Sequence, residues 1–230
     1  MISTEKLSHL FVDVADTLVA DFDVVDFLTT LCEHATVVSG ADAVGIMLKD
    51  HRGELRFMAS SNDAGRSLEL AQLRLGEGPC LDCVQTMEPV VNTDLTLADT
   101  WPKFAPTAIE AGFHSVHAFP MRLRDQAIGA LNLFAVSEVR FDPGEVRVVQ
   151  SLADVATIAI LQERSIARAE AVTEQLQGAL NSRIVIEQAK GALARQEGIT
   201  VDEAFERLRD RARSSRQRLV DVAAVVLAGN

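Results

Sequence analysis

Apolar residues recur at helical spacing at Leu7, Leu10, Phe11, Val14 and Leu18, which predicts an amphipathic helix over residues 1–22. Asp13, Asp16 and Asp21 interrupt this stretch, so it is not a secretory core. A second helix starts at Asp23, a good N-cap residue, and runs through VVDFLTTLCEHATVVS to Gly40. The pattern then changes to short apolar runs. AVGIML and ELRFMAS, separated by KDHRG, predict a hairpin, and a short helix follows over residues 67–73. EPVVN, HSVHAFPMR and AIGALNLFAV, rich in Val, Phe and Ala, predict further strands. Between the first two of these, TWPKFAPTAIEAG reads as a proline-initiated loop and helix stopped by Gly112.

From Asp142 the pattern is helical, with no proline after Pro143. Its first part is apolar enough to pack on a sheet. Residues 162–177 are charged and Ala-rich, and so polar a helix needs a partner. A helical stalk is expected, with parallel pairing to a second chain. EGIT breaks this helix, and Thr200 with Glu203 predicts a capping box that opens the next one. Ala204, Phe205, Leu208 and Ala212 form its core-facing stripe, and RLVDVAAVVLA forms a third helix. The fold class is α+β: an antiparallel sheet flanked by helices, joined by a long helical stalk to an all-α three-helix module. The expected boundaries are 1–22, 23–163, 164–181 and 182–230.

The chain is 48% hydrophobic and 24% charged, enough for a sizeable core and incompatible with global disorder. No run reaches the roughly 20 apolar residues of a membrane span, and three cysteines fit a reducing compartment. A cytoplasmic location and no membrane contact are expected. The net charge of −11 is uneven: residues 1–181 carry 13 basic against 26 acidic side chains, and residues 182–230 carry 9 against 7. Six of those nine are arginines between Arg207 and Arg218, opposed only by Asp210. On a helical projection, Arg209, Arg213 and Arg216 flank one side of the apolar stripe, and Arg207, Arg211 and Arg218 the other. Such a face is either solvated and paired with Glu and Asp, or a phosphate-contacting surface. The arginine density on an otherwise acidic chain favours the second. In the preceding helix, IEQAKGALARQ places Lys190 beside Arg183 at the edge of the face made by Ile186, Ala189 and Leu193. Gly191 continues a second stripe with Leu180 and Ile184. A mid-helix glycine costs about 0.5–1 kcal/mol relative to alanine. Gly191 is therefore either tolerated or a point of close approach for a partner helix or nucleic acid.

These residues carry a resemblance. Residues 182–223, SRIVIEQAKGALARQEGITVDEAFERLRDRARSSRQRLVDVA, resemble the ANTAR domain, an RNA-binding three-helix module of bacterial transcription antiterminators. The match lies in the AKG core (Ala189, Lys190, Gly191), EAF (Glu203 to Phe205), LR (Leu208, Arg209) and LVDVA (Leu219 to Ala223). The family often has methionine where Ala194 stands and asparagine where Arg216 stands. The resemblance implies binding to paired stem-loops in nascent RNA, which keeps a terminator from forming. With the charge pattern, it points to Arg183, Lys190, Gly191, Arg209, Arg213 and Arg216 as RNA-binding residues. Two stem-loops are met by two modules, in agreement with a homodimer through the stalk. Phe205, the module's one aromatic residue, is expected to point at the core.

LRLGEGPCLDCVQTMEPVVNTDL, WPKF and SVHAFPMRLRDQAIGALNLF resemble the GAF domain, particularly the type fused to ANTAR modules in actinobacteria. GAF domains are sensory modules whose antiparallel sheet cups a small ligand, and the fold does not name that ligand. Cys80 and Cys83 form a single C-x-x-C opening a helix. They are a redox pair favoured by the helix dipole, part of a metal site with His34, His114 or His117, or two small buried residues. His114 and His117, three apart, would face opposite sides of a strand. There is no Ser/His/Asp arrangement, no phosphate-cradling glycine loop and no H-E-x-x-H, so no enzyme, metal or definite cofactor is expected. The sequence thus reads as a signal-regulated RNA-binding antiterminator. The alternatives are a DNA-binding regulator and a thiol or metal redox switch at Cys80 and Cys83.

Overall fold

The computed structural model describes residues 23–92 and 94–229; the amphipathic helix expected over residues 1–22 lies outside them. The chain divides into two compact units, Met1–Glu163 and Arg164–Asn230.

In the first unit, helix α1 (Val24–Ser39) begins where the Asp23 carboxylate accepts from the N–H groups of Val25 and Asp26, at 2.7 and 3.1 Å. Gly40 ends it in the left-handed region that glycine adopts without strain. Strands β1 (Ala43–Lys49) and β2 (Leu55–Ser60) form the expected hairpin. Helix α2 (Asp63–Leu75) follows, and α3 (Pro79–Thr86) is a separate helix. Then come β3 (Val90–Asn92), α4 (Phe104–Glu110), β4 (Ser115–Leu123) and β5 (Gln126–Ala135). All pairings are antiparallel and the strand order is β2-β1-β5-β4-β3.

Period-two alternation sorts each central strand between two cores. Val44, Ile46, Leu48, Phe119, Met121, Leu131 and Leu133 face α1 and the beginning of helix α5 (Pro143–Glu197), which contributes Val149, Leu152, Ala156 and Ile160. On the opposite face, Phe134 and Val116 meet Leu68, Trp101 and Phe104. Beside them, Met47, Ala118 and Ala130 meet Cys80, Cys83 and Val84. Coverage on both faces explains why β4 and β5 read as unbroken apolar runs rather than as alternation.

The second face is fastened by polar pins from distant parts of the chain. The Glu77 carboxylate accepts from the backbone N–H groups of Lys103 and Phe104, capping α4 from the loop ahead of α3. Trp101 donates its indole N–H to Asp82 on α3 at 2.8 Å. Helix α4 follows the turn at Pro102, and its first N–H groups are satisfied by Glu77.

At the start of α5, Asp142 accepts from Gly144 and Glu145 N–H while Glu145 accepts from Asp142 N–H, a reciprocal cap. The second unit holds the remainder of α5, then α6 (Val201–Ser215) and α7 (Leu219–Ala228). The break between α5 and α6 uses Gly198 at φ 68°, and the predicted Thr200–Glu203 capping box is present. Ala189, Leu193, Ala204, Leu208, Ala212, Val222 and Ala223 form the core of this bundle. Among the described residues no helix is long and apolar enough to cross a membrane.

Candidate nucleic-acid interface and sensor core

In the second unit, five of the six arginines on and just after α6 divide by what they touch. Arg207 and Arg211 both bond Glu197 in the last turn of α5, Arg211 at 2.9 Å, and so fasten α6 to α5. Arg218 pairs with Asp221 at the start of α7 at 2.8 Å. On the other side of α6, Arg209 pairs with Glu206 at 2.7 Å and Arg213 reaches Asp210 at 3.7 Å, their side chains 39% and 65% exposed. Such exposed i,i+3 pairs are worth a few tenths of a kcal/mol and exchange readily for another anion.

Phe205 is not part of the core. Its part-exposed ring has Lys190 Nζ 5.1 Å and Arg209 Cζ 5.7 Å from its centroid. Lys190 comes from α5, where it also bonds Glu187 at 3.0 Å, so α5 and α6 together build the group. An aromatic ring rimmed by two cations can stack an unpaired base and hold its phosphate. The core stripe is Ala204–Leu208–Ala212, and Phe205 lies about 100° around the helix from Ala204. A projection that admits a wide apolar arc takes it in wrongly. The readable signal was the spacing Phe205–Arg209–Arg213, each four residues from the last.

Arg183 is exposed on α5, seven residues and about two turns before Lys190. Gly191 is exposed too, and a Cβ added there meets nothing within 4 Å. Nothing in its own bundle therefore requires a glycine. Gly191→Ala is expected to raise module stability by about 0.5–1 kcal/mol while weakening binding of whatever approaches this face. Thermal denaturation and RNA titration of that variant check both halves, and unchanged binding means a tolerated glycine. Arg216 is the C-cap of α6 at φ 53°, ψ 35°. Asparagine enters this left-handed conformation far more easily than arginine, so the family's frequent asparagine here has a backbone reason.

In the first unit, Cys80 and Cys83 lie one turn apart on α3, both fully buried, and all three cysteines are free thiols. Burial pushes the Cys80 thiol well up and Cys83 to about 12, outweighing the helix N-terminus that would favour a thiolate. His34, His114 and His117 do not complete a site: among the described residues no three His, Cys, Asp or Glu side chains come together to hold a metal. His114 is exposed, and His117 is buried against the Phe141 ring with centroids 4.7 Å apart. Burial lowers His117 to about 4, with the backbone at Val139 pulling the other way.

The polar centre of this domain is elsewhere, in three residues that the sequence pattern does not single out. Glu69 and Gln72 of α2 and Asn132 of β5 are completely buried. Asn132 donates to Glu69 Oε1 at 2.7 Å, and Gln72 donates to Glu69 Oε2 at 3.1 Å. Gln72 Oε1 accepts from the N–H of Cys80 at 2.9 Å. Asn132 is the one polar residue in the run AIGALNLFAV, and that isolation was the available clue.

The GAF domain model matches residues 23–161, and the ANTAR domain model matches residues 174–227. None of the curated proteins matches the chain. Among solved structures, the GAF domain from an Acinetobacter phosphoenolpyruvate-protein phosphotransferase is similar, with 17% identity, a TM-score of 0.57, and coverage of 73% of this chain and 99% of that one. The corresponding domain from Coxiella burnetii has 18% identity, a TM-score of 0.57, and coverage of 72% and 99%. A free methionine-R-sulfoxide reductase from Neisseria meningitidis, in complex with its substrate, has 20% identity, a TM-score of 0.56, and coverage of 72% and 96%. At these identities the likeness is one of fold.

Proposed function

Because this chain belongs to the GAF domain family and carries an ANTAR domain behind it, we propose that it is a signal-regulated transcription antiterminator of the actinobacterial GAF–ANTAR kind, working in the cytoplasm without catalysing a reaction. Both domains are regulatory, one sensory and one RNA-binding. The observation that carries the finer reading is the Lys190–Phe205–Arg209 group, with Arg213 one turn further along α6. Arg183 and Gly191 extend the same surface along α5, and Arg216 closes it at the helix end. Its targets in this reading are paired stem-loops, whose unstacked loop bases are open to stacking and whose backbones are open to arginine.

Two stem-loops call for two modules, and α5 supports a pairing of two chains. Ile166, Val172, Leu176, Leu180 and Ile184 are between 46% and 67% exposed. Ile166, Ala169, Thr173, Leu176 and Leu180 are spaced three and four apart, the seam of a two-stranded coiled coil. An isolated helix gains little from exposing such a seam. In this reading a second copy covers it, and an input to the GAF domain changes how the two α5 helices pair. That shifts the population of dimers whose modules are placed for both stem-loops. The input is a small ligand in the GAF pocket or a change in the domain itself.

The test is equilibrium binding of the full chain to a twin stem-loop RNA, a single stem-loop, a scrambled RNA and duplex DNA at physiological salt, with sedimentation run in parallel. The expected result is a dimer that prefers the twin stem-loop at least tenfold over the single one. Equal affinity for scrambled RNA overturns the reading, and preference for duplex DNA replaces it with a DNA-binding regulator.

A further inference from the structure

The Glu69 carboxyl joins four elements of the GAF domain. It hangs from α2, bonds Asn132 on β5, and reaches the first turn of α3 through Gln72 and the Cys80 N–H. On β1, a Cβ at Gly45 would sit 2.2 Å from Glu69 Oε1. Ahead of α3, a Cβ at Gly78 would sit 2.5 Å from Gln72 Oε1. Both backbones thus lack side chains where this polar chain passes, and Gly78, at φ 143°, also has a conformation that suits glycine.

Among the described residues no cation acts on the carboxyl. The titratable groups acting with it are the thiols of Cys32 on α1 and Cys80 on α3, both kept neutral by burial, with Cys83 behind Cys80 and Glu33 beside Cys32. β1 and β5 bring Gly45 and Asn132. Meanwhile, among the described residues, Asn132 Oδ1 has no hydrogen-bond partner although it is buried. Turning the Asn132 amide over places that oxygen where Nδ2 now stands, 2.7 Å from Glu69 Oε1, a length usual for O–H···O. The pocket therefore accommodates an ionised carboxylate taking two N–H bonds and, with the Asn132 amide turned over, a protonated carboxyl donating to its oxygen.

We propose that Glu69 is a proton-operated latch, holding α2 and α3 on the sheet when protonated and loosening them when it ionises. Burial raises the carboxyl from 4.5 to about 8, with the Asn132 and Gln72 donors pulling the other way. A carboxyl raised in this way makes the folded state less stable as pH rises, because the unfolded chain ionises first. The penalty accumulates from about 4.5 and is complete near 8, where the charge appears in the core. The proton thus leaves just above neutrality. What it releases is the cover that keeps Cys80 and Cys83 from solvent.

The latch goes beyond the RNA reading and stands or falls without it. The test uses the full chain with isotope-labelled glutamate, its carboxyl infrared band followed from pH 5 to 10 alongside amide exchange over residues 63–86. Expected are one buried protonated-carboxyl band that vanishes with a midpoint near 8 and is missing from Glu69→Gln. Amide protection in α2 and α3 should fall at least tenfold over the same range in the unmodified chain only. The labelled unmodified chain suffices should Glu69→Gln not fold. No such band at pH 6, or a band that vanishes while protection stays constant, overturns the latch.

Discussion

Alanine at both Lys190 and Arg209 is expected to lower affinity for a twin stem-loop RNA about 100-fold, at roughly tenfold for each charge-assisted hydrogen bond removed. The slope of log affinity against log salt should flatten by about 1.5, since each phosphate-contacting cation contributes roughly 0.7–0.9. The fold should survive. Glu187 and Glu206, the partners of the two cations, are 55% and 58% exposed and hydrate freely when released. Each pair is worth about 0.2–0.5 kcal/mol and each cation–ring contact about 0.5–1 kcal/mol; Lys190, whose side chain is 14% exposed, also loses the packing of its stem, and alanine recovers part of the total through helix propensity. Filter binding at several salt concentrations, with circular dichroism of the same samples, makes the measurement. Affinity within threefold of the unmodified chain removes the proposed surface, and a fall in helicity makes the two residues structural.

Gly129→Ala should prevent the GAF domain from folding. Gly129 sits in β5 opposite Leu48 of β1 and Met121 of β4, so it has a strand on each side. A Cβ there would lie 2.1 Å from the Met47 carbonyl oxygen, 2.7 Å from Leu48 Cδ2 and 3.0 Å from the Leu48 Cα. Two of those atoms are backbone in the centre of the sheet, where a shift costs ladder hydrogen bonds on both sides. The expected loss is about 4 kcal/mol or more, at the upper end of single substitutions. Gly178→Ala is the matched control: exposed, mid-helix, with nothing within 4 Å of the added atom. It should stabilise by about 0.5–1 kcal/mol. Folded yield and melting temperature separate the two; a Gly129→Ala domain as stable as its parent would mean that β1 and β5 are spaced differently.

Local chemistry was readable, and pairings between distant parts of the chain were not. Asp23 and Gly40 bound α1, and Thr200 and Glu203 open α6, as their side-chain and backbone preferences dictate. The apolar runs of β4 and β5 stand out because both faces of the sheet are covered. The helix expected over residues 67–73 proves longer, Asp63–Leu75, because Asn62 caps it from beyond the apolar stripe. Its polar members, Glu69 and Gln72, look like solvent-facing positions until β5 supplies Asn132. Nor could local pattern connect Glu77 with an amide pair 26 and 27 residues later. In the proposed interface, the arginine-rich stretch was visible, but its division into clamping and exposed members depends on where Glu197 falls after the turn at Gly198.

That single carboxylate bears on selectivity. A cell offers a large excess of indifferent polyanion, and every unpaired arginine increases attraction to all of it alike. By engaging Arg207 and Arg211 together, Glu197 offsets one of their two positive charges and ties both side chains to α5, so that neither is free to reach any passing phosphate. The module gives up raw attraction for orientation, so that the ligands it retains are those that fit one face.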